Sequence, residues 1–229
     1  MTKYSYFLTF FTILLLACNK KISKEEQIKQ QILALEDSIS KTIYPDSLLE
    51  VSVVPGQKFG LLHNEISFAD LQKKYGEKNV KTYRDTISGH AYATSVLFEG
   101  QPNELQIVWH NEELLQYPQL CYFSHPKAKW QADKNIKIGT TLDEIVQLNG
   151  GVVEVVGFGS SLDGGLLRYK DGKLKDFGKY YNIFLGYDKA QNPNVDATLL
   201  GTNSFLSDAA SVKTVPLKVV KIQAYLNKK

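Results

Sequence analysis

Arginine is almost missing from this chain. Of 229 residues, only Arg84 and Arg168 are arginine, and the formal charge is +3. That excludes the arginine-rich stripe with which a nucleic-acid binder neutralises phosphates, so no nucleic-acid partner is expected. Cysteine is as scarce, with only Cys18 and Cys121, and no Cys-x-x-Cys occurs. The four histidines, His63, His90, His110 and His125, do not have the spacing of a helix-borne metal site. No metal and no cofactor are expected. The chain lacks a Gly-x-Ser-x-Gly elbow for nucleophilic catalysis. Gly157-Phe158-Gly159 opens a glycine-rich stretch, but Leu162 stands where a phosphate-binding loop needs its third glycine. These glycines instead predict a strand bend and hairpin with close backbone approach. No apolar run reaches the roughly 20 residues of a transmembrane helix.

The remaining composition is that of a folded protein, with 43% hydrophobic and 22% charged residues. The 13 tyrosines and 11 phenylalanines favour strands. About 210 residues follow the amino-terminal apolar stretch, enough for a real core. Cys121 lies in Leu120-Cys121-Tyr122-Phe123, which reads as a buried strand.

The amino terminus has the layout of a secretory signal. Lys3 precedes the apolar run Tyr4 to Ala17, and small Ala17 comes just before Cys18. Leu15-Leu16-Ala17-Cys18 resembles the lipobox of bacterial lipoproteins. The resemblance implies cleavage before Cys18, diacylglycerol on its sulfur and an acyl chain on the new amino group. Two or more chains hold a protein stably to a membrane. The expected organisation is a signal peptide over 1–17, a lipidated tether over 18–23 and a helix over 24–42. An α+β domain is expected over 50–229. Asn19 stands where family sorting rules place aspartate for inner-membrane retention. The expected location is therefore the outer membrane facing the periplasm, with surface exposure left open. Cys121 is left without a disulfide partner.

In the 24–42 helix, Ile28, Ile32, Leu35 and Ile39 recur on one face. Ser23 with Glu26 forms a potential capping box, and Tyr44-Pro45 stops the helix. Further on, a weak repeat spans about 57–115 and 133–190. Ser67 with Asp70 and Thr141 with Glu144 are capping pairs, and Gly76 and Gly150 each lie nine positions after the cap. Helices this short are not stable alone and must lie on a sheet. Strands are expected at Val80 to Tyr83, Tyr92 to Glu99 and Leu105 to His110. The second copy predicts Val152 to Phe158, Leu166 to Tyr169 and Tyr181 to Tyr187, with a further strand near Leu217 to Tyr225. Asp163-Gly164-Gly165 and Lys170-Asp171-Gly172-Lys173 are hairpin signals. The fold class is α+β: two helix-plus-antiparallel-meander units packed as one domain, preceded by an amino-terminal helix.

The segment Ile136 to Ile145, read as strand, Gly139 and helix, resembles the opening of small periplasmic repeat folds. These include the outer-membrane assembly lipoproteins and the β-lactamase inhibitory proteins. The resemblance implies protein binding rather than catalysis. Trp109, Tyr117, His125 and Trp130 are the candidate binding surface, since Trp and Tyr favour places where apolar surface meets a partner. Tyr117 to Trp130, with Pro118 and Pro126, reads as the longest irregular stretch between strands. The expected function is a non-catalytic envelope binding or assembly module, engaging another envelope protein, a peptide or a glycan. The alternatives are an envelope hydrolase of peptidoglycan or polysaccharide, and a structural spacer.

Overall fold

The chain divides into two compact units, Met1–Asp46 and Ser47–Lys229. The computed structural model describes residues 24, 26–32, 51–87, 90–159 and 165–226, and the side chains of all of these except 85–87 and 90–92. In the first unit, residues 26–32 are helical, within the helix expected over 24–42. Ile28 and Ile32 are exposed there. Residues 33–42, the segment 1–17 and the 18–23 tether with Cys18 lie outside the described residues. Among the described residues no helix is long and apolar enough to cross a membrane.

The second unit is α+β. It begins with three two-residue strands, β1 (Val53–Val54), β2 (Lys58–Phe59) and β3 (Leu62–His63), paired antiparallel in that order. Helix α1 (Phe68–Tyr75) follows, then β4 (Val80–Ile87), β5 (His90–Leu97), β6 (Leu105–Asn111) and β7 (Gln116–Phe123). Helix α2 (Leu142–Asn149) leads the second half. After it come β8 (Glu154–Val156), β9 (Leu167–Arg168), β10 (Tyr181–Gly186), β11 (Ser204–Leu206) and β12 (Lys218–Tyr225). The main sheet has six strands in the order β10-β12-β7-β6-β5-β4, and a small sheet has the order β11-β8-β9. Every strand pairing within these sheets is antiparallel. The two helix-led halves thus share one sheet, β12 from the second pairing with β7 from the first.

Both short helices form where hydroxyl caps predict them. Ser67 and Thr141 each accept from the backbone N–H three residues on, and Asp70 and Glu144 accept the cap residues' own N–H. Asp70 completes its box despite its shorter side chain. At the far end of α2, Gly150 takes a left-handed φ of 72°. Eight residues cannot hold a helix by propensity alone. Leu71 and Tyr75 of α1, and Leu142, Ile145 and Asn149 of α2, therefore bury one face. The amino ends are also stitched to the residues just before β7 and β12, with Phe68 N–H donating to the Leu115 carbonyl and Leu142 N–H to the Leu217 carbonyl.

These caps set an expected acid response. Hydrogen bonds from Ser67 hold Asp70 below its ordinary value, and those from Thr141 do the same for Glu144. Hydrogen bonds from Lys81 and Tyr83 lower Glu99 likewise. A depressed carboxylate stabilises the fold above its unfolded pKa, near 4, and that contribution disappears as pH falls through the lower folded value. The urea midpoint should therefore drop below about pH 4, and Glu144→Gln should flatten that drop relative to the parent. An equally steep drop in the variant would remove the cap from this account.

Two local expectations need correction. The stretch from Tyr117 to Trp130 is not irregular throughout, because Tyr117 to Phe123 belong to β7, an inner strand of the main sheet. Pro118 hid it: a proline inside a run argues against a strand unless a bulge accommodates it. The β6–β7 register indeed shifts between Val108 and Trp109, and Trp109 faces Pro118. Secondly, Asp171-Gly172 turns the chain but does not join two laddered strands. β9 pairs with β8, and an isolated Leu166–Phe184 bridge lies beside it on β10. The turn is shaped by Asn149 instead: a Cβ on Gly172 would fall 2.0 Å from the Asn149 Oδ1. Gly157 and Gly165 do mark close backbone approach, to Gly201 and Leu185 respectively. Residues 160–164, including Asp163-Gly164, lie outside the described residues.

Candidate functional site: the open face of the main sheet

Directly opposed residues of an antiparallel sheet share a face, and a shift of one residue moves to the other face. The main sheet carries two such rows one residue apart. The inner row is Ser95, Ile107, Cys121, Ala224 and Tyr181, in cross-strand register, and every member is buried. The outer row is Lys81, Val96, Gln106, Tyr122, Gln223 and Asn182. Gln106, Tyr122, Gln223 and Asn182 are half-buried. A second outer row runs Tyr83, Thr94, Val108, Leu120 and Tyr225. One face thus packs the core, while the other presents amides and tyrosines.

The polar groups on this face are linked. Asn182 Nδ2 donates to Gln223 Oε1 at 3.1 Å and to Tyr225 Oη at 3.2 Å. Lys221 places its ammonium 4.2 Å from the centroid of the Phe184 ring. At the β4 edge, Glu99 accepts from Lys81 at 2.5 Å and from the Tyr83 hydroxyl. The Lys81 ammonium is held above its ordinary value by that hydrogen bond to Glu99.

Gln106 and Tyr122 also line a cleft of about 320 Å³, with Gly100, Gln101, Glu104, Phe123, Ser124, His125 and Pro126. Glu104 is engaged there, accepting from Gly100 N–H at 2.8 Å and from Gln106 Nε2 at 3.1 Å. His125 Nδ1 accepts from Lys127 N–H at 3.1 Å, which in the neutral ring leaves the proton on Nε2. Its carboxylate, amides, hydroxyl and imidazole suit a neutral, hydroxyl-rich ligand.

The four sequence candidates separate. His125 lies in the cleft, half-buried. Tyr117 is exposed at the other end of β7 from the cleft, with φ at 58°. Trp109 and Trp130 are not surface residues; they are 1% and 2% exposed. Each indole N–H has a partner, Trp109 donating to Ser95 Oγ at 2.8 Å and Trp130 to the Asn103 carbonyl at 2.9 Å. A tryptophan whose one donor is satisfied internally can be buried at no polar cost, and both rings fill the core. Trp130 packs on Phe59, which in turn meets Phe123. Sequence reading did not single out Gln106 or Asn182; it met Tyr122 in the aromatic run and the strand Leu120-Cys121-Tyr122-Phe123 without placing it on this face, and the alternation in Leu217 to Tyr225 put Gln223 and Tyr225 on one face.

Other candidates resolve individually. Of the histidines, His110 is exposed at the end of β6, and its neighbour Glu112 accepts from Ala93 N–H at 3.2 Å. Among the described residues, no three His, Cys, Asp or Glu side chains gather to hold a metal. Cys121 is fully buried, and desolvation raises its thiol well above the ordinary range. The thiolate is the reactive form. Cys121 should therefore resist a water-soluble disulfide reagent in the native protein and react stoichiometrically in denaturant. Rapid native labelling would contradict this burial.

No family model and no curated protein matches the sequence. Among solved structures, the chain is similar to the uncharacterized protein yfeY from Escherichia coli, at 13% identity and a TM-score of 0.46, covering 76% of this chain and 99% of that one.

Proposed function

We propose that this protein is a lipid-anchored envelope protein, held through Cys18, whose α+β domain binds a glycan strand across the open face of its main sheet. The carrying observation is the half-buried row Gln106, Tyr122, Gln223 and Asn182. Amides can both donate to and accept from sugar hydroxyls, and tyrosine rings offer apolar faces to the C–H side of a pyranose. Strand spacing near 4.8 Å places these groups at regular intervals, as an extended polymer requires. A binding role rather than hydrolysis is supported by the engaged carboxylates. Glu104 and Glu99 each accept two hydrogen bonds within the protein. The anchor is supported by Leu15-Leu16-Ala17-Cys18.

Two measurements test the reading. Radiolabelled palmitate should enter the protein in cells and be lost in Cys18→Ala; unchanged labelling would sink the anchor. Titration calorimetry of the full chain in neutral detergent with soluble peptidoglycan strands should show saturable heat. Tyr122→Ala and Gln223→Ala should each weaken binding about tenfold, or about 1.4 kcal/mol. Absence of binding, or unaltered affinity in both variants, would refute the glycan role. Strands shortened during incubation would favour the hydrolase alternative.

A further inference from the structure

A second cleft opens beside β10. It encloses about 500 Å³ and is lined by Arg168, Lys170, Lys175 and Lys179, with Tyr169 and Asn182 among its walls. All four cations are exposed. One of the chain's two arginines is therefore spent here. Lys175 pairs with Asp171 at 2.9 Å, and Lys179 pairs with Asp176. Arg168 and Lys170 have no such partner among the described residues. Glu154 faces Arg168 across the β8–β9 ladder, and its carboxylate, which accepts from the Ser204 hydroxyl, keeps its negative charge there. Four cations against Asp171, Asp176 and Glu154 leave one net positive charge around the cleft.

The cations are placed by the fold. Arg168 ends β9, whose neighbours Leu167 and Tyr169 are buried and hold the strand in place. Lys170 has a left-handed φ of 47°, a conformation that costs a non-glycine residue about 1 kcal/mol or more. The turn closed by Gly172 N–H donating to the Tyr169 carbonyl maintains it. Tyr169 packs edge-on against Phe177, and Phe177 stacks on Tyr181. That aromatic stack gives the cleft a fixed wall.

We infer that this cleft is a phosphate subsite, in which Arg168 and Lys170 are the principal contacts and Lys175 and Lys179 close the rim. A guanidinium presents two parallel N–H donors to adjacent phosphate oxygens, and ammonium groups supply point charges around them. A phosphate monoester carries about −1.5 to −2 at neutral pH, and Arg168 and Lys170, which have no ion pair among the described residues, are the cations left to meet it. The ester comes from either an anionic lipid headgroup or a soluble phosphate compound. Asn182 borders both this cleft and the glycan row, but the inference does not rest on the glycan reading, since Arg168 and Lys170 are not in that row and Tyr122 and Gln223 lie outside this cleft.

The test uses the full-length protein in neutral detergent, with phosphorus NMR line broadening as readout. Inorganic phosphate and glycerol 3-phosphate should both bind saturably. The double variant Arg168→Gln, Lys170→Gln should weaken both at least tenfold, while Lys74→Gln on α1 leaves them unchanged. Displacement of inorganic phosphate by detergent micelles doped with phosphatidic acid, but not phosphatidylcholine, assigns the headgroup as source. Displacement by glycerol 3-phosphate alone assigns a soluble ester. No saturable binding, or equal weakening in Lys74→Gln, overturns the inference. Glycan titration of the double variant separates the two proposals, because its affinity for peptidoglycan strands should persist.

Discussion

Asn149→Leu is expected to destabilise the Ser47–Lys229 unit by roughly 3–5 kcal/mol, because several buried polar groups lose their partner together. Asn149 is 1% exposed at the last position of α2. Its Oδ1 accepts from Leu174 N–H at 3.1 Å, and its Nδ2 donates to the Gly151 carbonyl at 3.1 Å and the Tyr169 carbonyl at 3.4 Å. Its own carbonyl accepts from Lys173 N–H at 2.8 Å. One side chain thus ties the end of α2 to the 169–174 turn. Leucine matches the volume but removes both the acceptor and the donor. Each buried group left unpaired costs about 1–3 kcal/mol. Urea unfolding with tyrosine and tryptophan fluorescence measures this directly. Gly172→Ala should move the midpoint in the same direction, since its Cβ would collide with the Asn149 amide. A change below 1 kcal/mol in Asn149→Leu would mean that the turn finds other partners.

The same residue shows what the sequence could and could not reveal. The capping pairs Ser67 with Asp70 and Thr141 with Glu144 are local, three residues apart, and were legible. Most strands were legible too, because their tyrosines, valines and isoleucines alternate. Asn149 looked like a residue before a helix-stopping glycine, and its partners at 169 and 174 lie 20 and 25 positions away. Nothing local announces such a contact. β11 was missed for a related reason: it is three residues long, and only Phe205 is buried. Its place depends on pairing with β8, some 50 residues earlier. The candidate site depends on register between β6, β7, β12 and β10, which no single segment encodes. Glutamine and asparagine in isolation carry no signal; three in cross-strand reach of a tyrosine-bearing face do. The tryptophans misled because their residue type is common both in cores and at binding surfaces, and only burial distinguishes these.

Trp109 provides the sharpest separation of core from surface. Its ring is buried on the inner face of β6, and its indole N–H meets Ser95 Oγ on β5, itself 0% exposed. Ser95 in turn lies 3.2 Å from the Thr82 hydroxyl on β4, so Trp109 completes a chain of polar groups crossing three strands. Trp109→Ala should cost about 3–5 kcal/mol, combining lost burial with the cavity left behind. If that variant does not fold, Trp109→Phe provides the decisive reading. Phenylalanine keeps most of the apolar volume and removes the donor, for an expected loss of about 1–2 kcal/mol. Peptidoglycan affinity in Trp109→Phe should equal that of the parent, since the ring faces away from the Gln106–Tyr122 row. Tyr117→Ala, by contrast, removes an exposed ring and should change stability by less than about 0.5 kcal/mol. Loss of glycan binding in Trp109→Phe with unchanged stability would restore Trp109 as a contact residue and move the binding surface to the opposite face of the sheet.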